Sequence, residues 1–196
     1  MITIIGFHVL ALGPFFADAG GGPKPIPKDV EVLTCRSECA IESLNATGEK
    51  MKLYIAGGSD ERLTVIRPII EQVKECGIEI TYDWTRSPGY ESRLSVVETL
   101  EQAKMDLAAV QAADLIWIVA PEAKSEGCAT ELGAALILGK TVFVSGPHAI
   151  RDSRIFYLLA TKWFSSHAAA HRAVIDYAQR FAYRAAVALA DHEREF

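Results

Sequence analysis

A chain of 196 residues that is 50% hydrophobic and 23% charged is long enough to bury the core of one globular domain. Its net charge of −5 and sequence pI of about 5.6 exclude the basic footprint that extended DNA or RNA requires. The four cysteines, Cys35, Cys39, Cys76 and Cys128, are scattered. With no histidine beside the first pair and no second close pair, they form neither a zinc set nor a disulfide framework. They read as reduced thiols of a cytoplasmic protein.

The chain opens on an apolar stretch, Met1 to Ala17, that Gly13-Pro14 breaks and that is too short to span a bilayer. Ala17-Asp18-Ala19 resembles a cleavage site, but no Lys or Arg precedes Lys24, so the positive start of a signal peptide is missing. The sequon Asn45-Ala46-Thr47 matters only in a secreted chain. Gly20 to Pro27 is a linker by composition. Residues 1–50 therefore read as a flexible leader, or as a mis-assigned start ahead of Met51, with no function. Residues 51–196 form the domain.

From Met51 strands alternate with helices. Leu53 to Ala56 is a short buried strand ending at Gly57-Gly58. Asp60 to Cys76 is a helix with Ser59 as its N-cap, an apolar face at Leu63, Ile66, Ile70 and Val73, and Gly77 as its stop. Ile78 to Tyr82 is a second strand, followed by a loop with Pro88-Gly89. A helix from Leu94 to Ala112 leads into Asp114 to Ala120, whose continuous apolar run marks a central strand covered on both faces. Cys128 to Leu138 is a helix closed by Gly139, Thr141 to Val144 a strand, and Lys162 to Phe164 a weak fifth strand. A long alanine-rich helix runs from His167 to Asp191. Its apolar positions Ala168, Val174, Ile175, Tyr177, Ala178, Phe181 and Ala185 serve either a dimer interface or burial within one monomer.

This alternation predicts an α/β, doubly wound, flavodoxin- or Rossmann-like parallel sheet of four to five strands, order 2-1-3-4-5. Its switch point lies between strands one and three, so Gly57-Gly58-Ser59-Asp60 should face Pro121 to Glu131 across a crevice at the carboxyl edge. Glu131 is read as a carboxylate in a first helical turn, kept ionised by the helix dipole and suited to nucleophilic attack. A favourable first-turn acid with no chemistry is the equal alternative. Gly133 would allow close packing of helix on strand. Ser125 and Gly127, with Gly57, Gly58 and Ser59 opposite, offer donors to a bound anion, or else ordinary loop and capping contacts. Asp83 ends strand two and either lines the rim or is a solvated loop acid. Cys128 is a rival nucleophile with only His148 in prospect as an activator, and reads better as core packing. His167 and His171 lack a nearby acid, so no metal is expected. No G-x-G-x-x-G or Walker pattern is present, so no cofactor is expected either.

Three segments resemble the nucleoside 2-deoxyribosyltransferase-like superfamily of transferases and nucleoside 5′-monophosphate N-glycosidases. They are Lys52-Leu53-Tyr54-Ile55-Ala56-Gly57, Asp106-Leu107 with Ala113-Asp114 and the strand after it, and Gly127 through Glu131-Leu132-Gly133-Ala134-Ala135 to Leu138-Gly139-Lys140. The resemblance implies cleavage or exchange of an N-glycosidic bond. Glu131 would attack C1′ and hold a covalent glycosyl intermediate, as retaining glycosidases do. Tyr54 would orient Glu131, and Asp106 would protonate the leaving base. Six positions before Glu131, where the transferases have aspartate, this chain has Ser125, as the monophosphate hydrolases do. A hydroxyl can donate to phosphate where a carboxylate would repel it, although Asp60, Glu61 and Glu126 make the mouth acidic. The resemblance also implies a homodimer or higher oligomer in which a neighbour closes the pocket. The alternative function is a non-catalytic nucleotide-binding or sensor domain on the same TIR-like scaffold. A response-regulator receiver is disfavoured, because Ala120-Pro121 and Gly57-Gly58 stand where its acids would be.

Overall fold

The computed structural model describes residues 50–87, 94–146 and 155–194. The leader with Cys35 and Cys39, the Pro88-Gly89 loop and His148 lie outside the described residues. The elements are β1 (Lys52–Ala56), α1 (Arg67–Glu75), β2 (Glu79–Ile80), α2 (Val96–Ala112), β3 (Leu115–Val119), α3 (Glu126–Ile137), β4 (Thr141–Ser145), β5 (Lys162–Phe164) and α4 (His167–Arg194). Five parallel strands form one sheet in the order β2-β1-β3-β4-β5.

Every residue of β3 is buried, as its unbroken apolar run requires for a strand covered on both sides. Register places Tyr54 beside Ile116 and Ile116 beside Val142, so these three share one face. α2 and α3 cover that face, where they meet the Tyr54 hydroxyl. On the other face Trp117 lies 6.5 Å from the His171 ring of α4, and Phe143 meets Tyr177 edge-on. Each large side chain sealed in this way contributes about 1.5–3 kcal/mol of apolar burial. Gly77 and Gly139 follow α1 and α3 at φ of 79° and 66°, which a residue with a Cβ adopts only with strain.

Local winding departs from the sequence reading in several places. The segment after β1 is not a uniform helix but a 3-10 turn at Ser59–Glu61 and a π turn at Arg62–Ile66 before α1. Pro68 has no N–H, so Thr64 gains no α-type bond from it, and the chain ahead winds differently. Ser59 is consequently not an N-cap; it lies inside the 3-10 turn, where no side chain caps. The changed winding also turns Leu63 outward, to 51% exposure, while Ile66, Ile70 and Val73 stay buried.

β2 is shorter than expected, because only Glu79 and Ile80 pair with β1. α2 begins later than Leu94, at a capping box. Ser95 Oγ accepts from Glu98 N at 3.3 Å, and Glu98 Oε2 accepts from Ser95 N at 2.8 Å. At its far end Lys140 Nζ donates to the Gln111 and Ala113 carbonyls at 2.6 and 2.9 Å, holding the negative helix terminus. In α4, Val174, Ile175 and Ala178 are buried within the monomer. Among the described residues no helix is long and apolar enough to cross a membrane.

Candidate active site

Tyr54 stands in the middle of β1 and is fully buried. Its hydroxyl donates to Glu131 Oε1 at 2.6 Å and lies 3.3 Å from Asp106 Oδ1. One side chain from the sheet thus gathers a carboxyl from each covering helix. Burial first, then the two carboxylates, push the phenol above its ordinary value, so it stays protonated and acts as a donor.

Glu131 is the sixth residue of α3 counted from Glu126, in the second turn and not the first. The dipole effect fades within the first turn, so the expected source of ionisation is absent. Glu131 is 9% exposed, and burial pushes its carboxyl up to about 7. The Asp106 charge adds to the rise, while the Tyr54 hydrogen bond opposes it. The helix dipole expected to keep it ionised near neutral pH therefore does not set its ionisation, and burial moves its titration up to neutrality. Among the described residues only Oε1 is tied; Oε2 has no hydrogen bond there and is not a sealed atom.

Asp106 reaches this cluster because α2 presents Gln102, Asp106 and Val110 to the sheet at helical spacing. Burial pushes its carboxyl up, against hydrogen bonds from Gln102 and Tyr54 that lower it. Gln102, Tyr82 and Ser87 were not singled out from sequence. Gln102 Nε2 donates to Asp106 Oδ1 at 3.3 Å, and Gln102 Oε1 accepts from Tyr82 Oη at 3.1 Å and Ser87 Oγ at 2.6 Å. The readable signal was Gln102 four residues before Asp106, on the same helix face.

The two crevice segments meet as the switch point requires, but they are packed. A Cβ on Gly58 would lie 2.8 Å from Pro121 Cβ and would strike the Glu61 carboxylate; one on Gly57 would strike Ile66. These glycines therefore permit close backbone approach. Glu61 Oε1 accepts from Glu122 N at 2.8 Å, tying one segment to the other, and Ser59 is exposed at the edge. Ser125 is the N-cap of α3, its Oγ accepting from Cys128 N at 3.2 Å. A Cβ on Gly127 would meet only Ser125 Oγ, at 3.8 Å, so that approach is open.

Asp83 is turned away from the cluster. Its carboxylate takes Lys74 Nζ at 2.9 Å, Arg86 Nε at 3.0 Å and the Thr85 hydroxyl at 2.5 Å. Burial pushes that carboxyl up, but the Thr85 and Lys74 hydrogen bonds outweigh it and hold it low. Gly133 does not pack helix on strand, since it is exposed with nothing within 4 Å of an added Cβ. Cys128 is 1% exposed in the core. His167 Nδ1 lies 2.9 Å from Ser145 Oγ, which accepts from Trp117 Nε1 at 2.7 Å, on the face opposite Glu131. Among the described residues no three His, Cys, Asp or Glu side chains gather as a metal cage.

No protein-family model and no curated protein matches the chain. Among solved structures it is similar to a Clostridium botulinum CMP N-glycosidase, BcmB, at 15% identity over 66% of this chain and 98% of that one, with a TM-score of 0.42. A likeness at that level carries no argument about chemistry, which rests on the cluster itself.

Proposed function

We propose that the domain cleaves or exchanges the N-glycosidic bond of a small nucleoside or nucleoside 5′-monophosphate. The observation that carries this reading is the Tyr54 hydroxyl held between Glu131 and Asp106. It leaves Glu131 Oε2 free to react and sets a second carboxyl beside the nucleophile. Glu131 Oε2 attacks C1′ as the C1′–N bond breaks, and the bond's electrons pass to the base. Asp106 passes to the departing nitrogen a proton taken up from solvent. Water or a second base then displaces Glu131 from C1′. A carboxyl that ionises near 7 supplies the ionised nucleophile within the neutral range.

Ser125 Oγ and the α3 amino terminus are the proposed seat for a 5′-phosphate. A tyrosine hydroxyl shared by two carboxyls is not needed for binding alone, so the cluster favours the enzyme over a sensor domain. Release of free base from a panel of nucleosides and monophosphates tests the reading. Binding without any release would mark a sensor.

The proposed second copy is better placed on α2 than on α4. Val96, Leu100 and Leu107, exposed at 87%, 53% and 43%, fall with Ala103 at alternating spacings of four and three along one stripe. That is the pattern of a helix-pairing seam.

A further inference from the structure

We propose that Gln102 is a positioning residue for the reaction proposed above, setting which oxygen of Asp106 carries the proton. Tyr54 has a single hydroxyl proton. At 2.6 Å from Glu131 Oε1, against 3.3 Å from Asp106 Oδ1, that proton belongs to Glu131. Asp106 Oδ1 then receives only the weaker share of that hydrogen, and Gln102 Nε2 is the donor it does not share with Glu131.

The ionised Asp106 orients the amide of Gln102. Its oxygen takes two hydroxyl donors, Tyr82 Oη and Ser87 Oγ, from the segment after β2. The two hydroxyls could accept from a turned amide as well as donate to it, but a flip would leave the ionised Asp106 Oδ1 facing an acceptor. With Oδ1 committed to accepting, a proton on Asp106 resides on Oδ2, which makes no hydrogen bond among the described residues and is not sealed. The titratable groups facing Asp106 are Tyr54 from β1 and Glu131 from α3. Neither fixes this choice, because the first directs its proton mainly to the second.

The proposal rests on Asp106 acting as the acid, so its test has one arm that needs no turnover. The full chain and its Gln102→Leu variant are compared by carbon NMR titration of the Asp106 carboxyl and by kcat and KM against pH. Removing a donor to the ionised form raises an acid's titration point. In Gln102→Leu the Asp106 midpoint should move up by about 0.5–1 pH unit. kcat should fall about tenfold with KM within about threefold. Tyr82→Phe with Ser87→Ala should produce a smaller shift in the wild-type background. That pair should add nothing in Gln102→Leu, because both hydroxyls act through the amide.

Gln102→Leu with native circular dichroism and an unmoved Asp106 midpoint would overturn the proposal. So would an undiminished Tyr82/Ser87 effect in that background. A moved midpoint in a protein that releases no base keeps the positioning role and overturns only the proposed reaction.

Discussion

Replacing Glu131 by Gln should stop turnover and, at alkaline pH, make the protein more stable. Carrying the carboxyl from its ordinary 4.5 to about 7 corresponds to about 3 kcal/mol, since each tenfold change in proton affinity is worth about 1.4 kcal/mol. The folded protein holds this proton to higher pH than the unfolded chain does. Its contribution to stability is therefore full below pH 4.5, declines as pH rises through 4.5 to 7, and is gone above 7. Glutamine cannot ionise, keeps an oxygen for the Tyr54 hydroxyl, and has no such loss. The measurement is urea unfolding of both proteins at about pH 4 and about pH 8. Comparing one pair of proteins at two pH values cancels the packing difference between the side chains. The gain of the variant over wild type should be larger at the higher pH by up to about 3 kcal/mol. Base release should fall by at least about a hundredfold, because a covalent catalyst has been removed. An equal stability difference at both pH values would refute the claim that Glu131 is a buried carboxyl ionised at a cost. Residual turnover above about one hundredth would refute its role as nucleophile.

Tyr54→Phe removes a hydrogen bond that lowers the Glu131 titration point, so the pH at which Glu131 ionises should rise. Activity at pH 7 should drop about ten- to a hundredfold and partly recover in more alkaline buffer; an unchanged pH profile would reduce Tyr54 to a core aromatic. Ser125→Asp should lower kcat/KM for nucleoside 5′-monophosphates selectively, because it sets a carboxylate against a dianion at the α3 amino terminus. Equal selectivity in both proteins would remove Ser125 from the site. Gly133→Ala should raise stability by about 0.5–1 kcal/mol with activity unchanged, since the added methyl enters open space on a helix; a loss of stability would mean that this face is covered in solution. Leu100→Glu should convert a dimer to a monomer in sedimentation velocity, whereas a monomeric wild type at micromolar concentration would dismiss the α2 seam.

Much of this architecture is legible locally. The apolar run at Leu115–Val119, the glycines closing α1 and α3, and the regular alternation of strand and helix each act over a few residues. With right-handed crossovers they lead to the order β2-β1-β3-β4-β5 and to a crevice between β1 and β3. The capping box at Ser95 and Glu98 was equally readable from its spacing and marks the true start of α2.

Tertiary structure alone decided the chemistry of the cluster. Tyr54, Asp106 and Glu131 lie 52 and 77 residues apart along the chain from the tyrosine outward, and no local pattern measures the distance between them. The Glu131 carboxyl ionises at higher pH than the sequence suggests because its ionisation depends on how completely α2, α3 and β1 exclude water, and burial outweighs a dipole that has faded by the second turn. Gly57 and Gly58 likewise look like ligand donors in one dimension. Only the approach of Pro121, Glu61 and Ile66 reveals them as the space through which two loops close. Periodicity and punctuation are local properties that a sequence carries in full. Desolvation and hydrogen-bond partnership belong to pairs of groups that only the folded chain brings together.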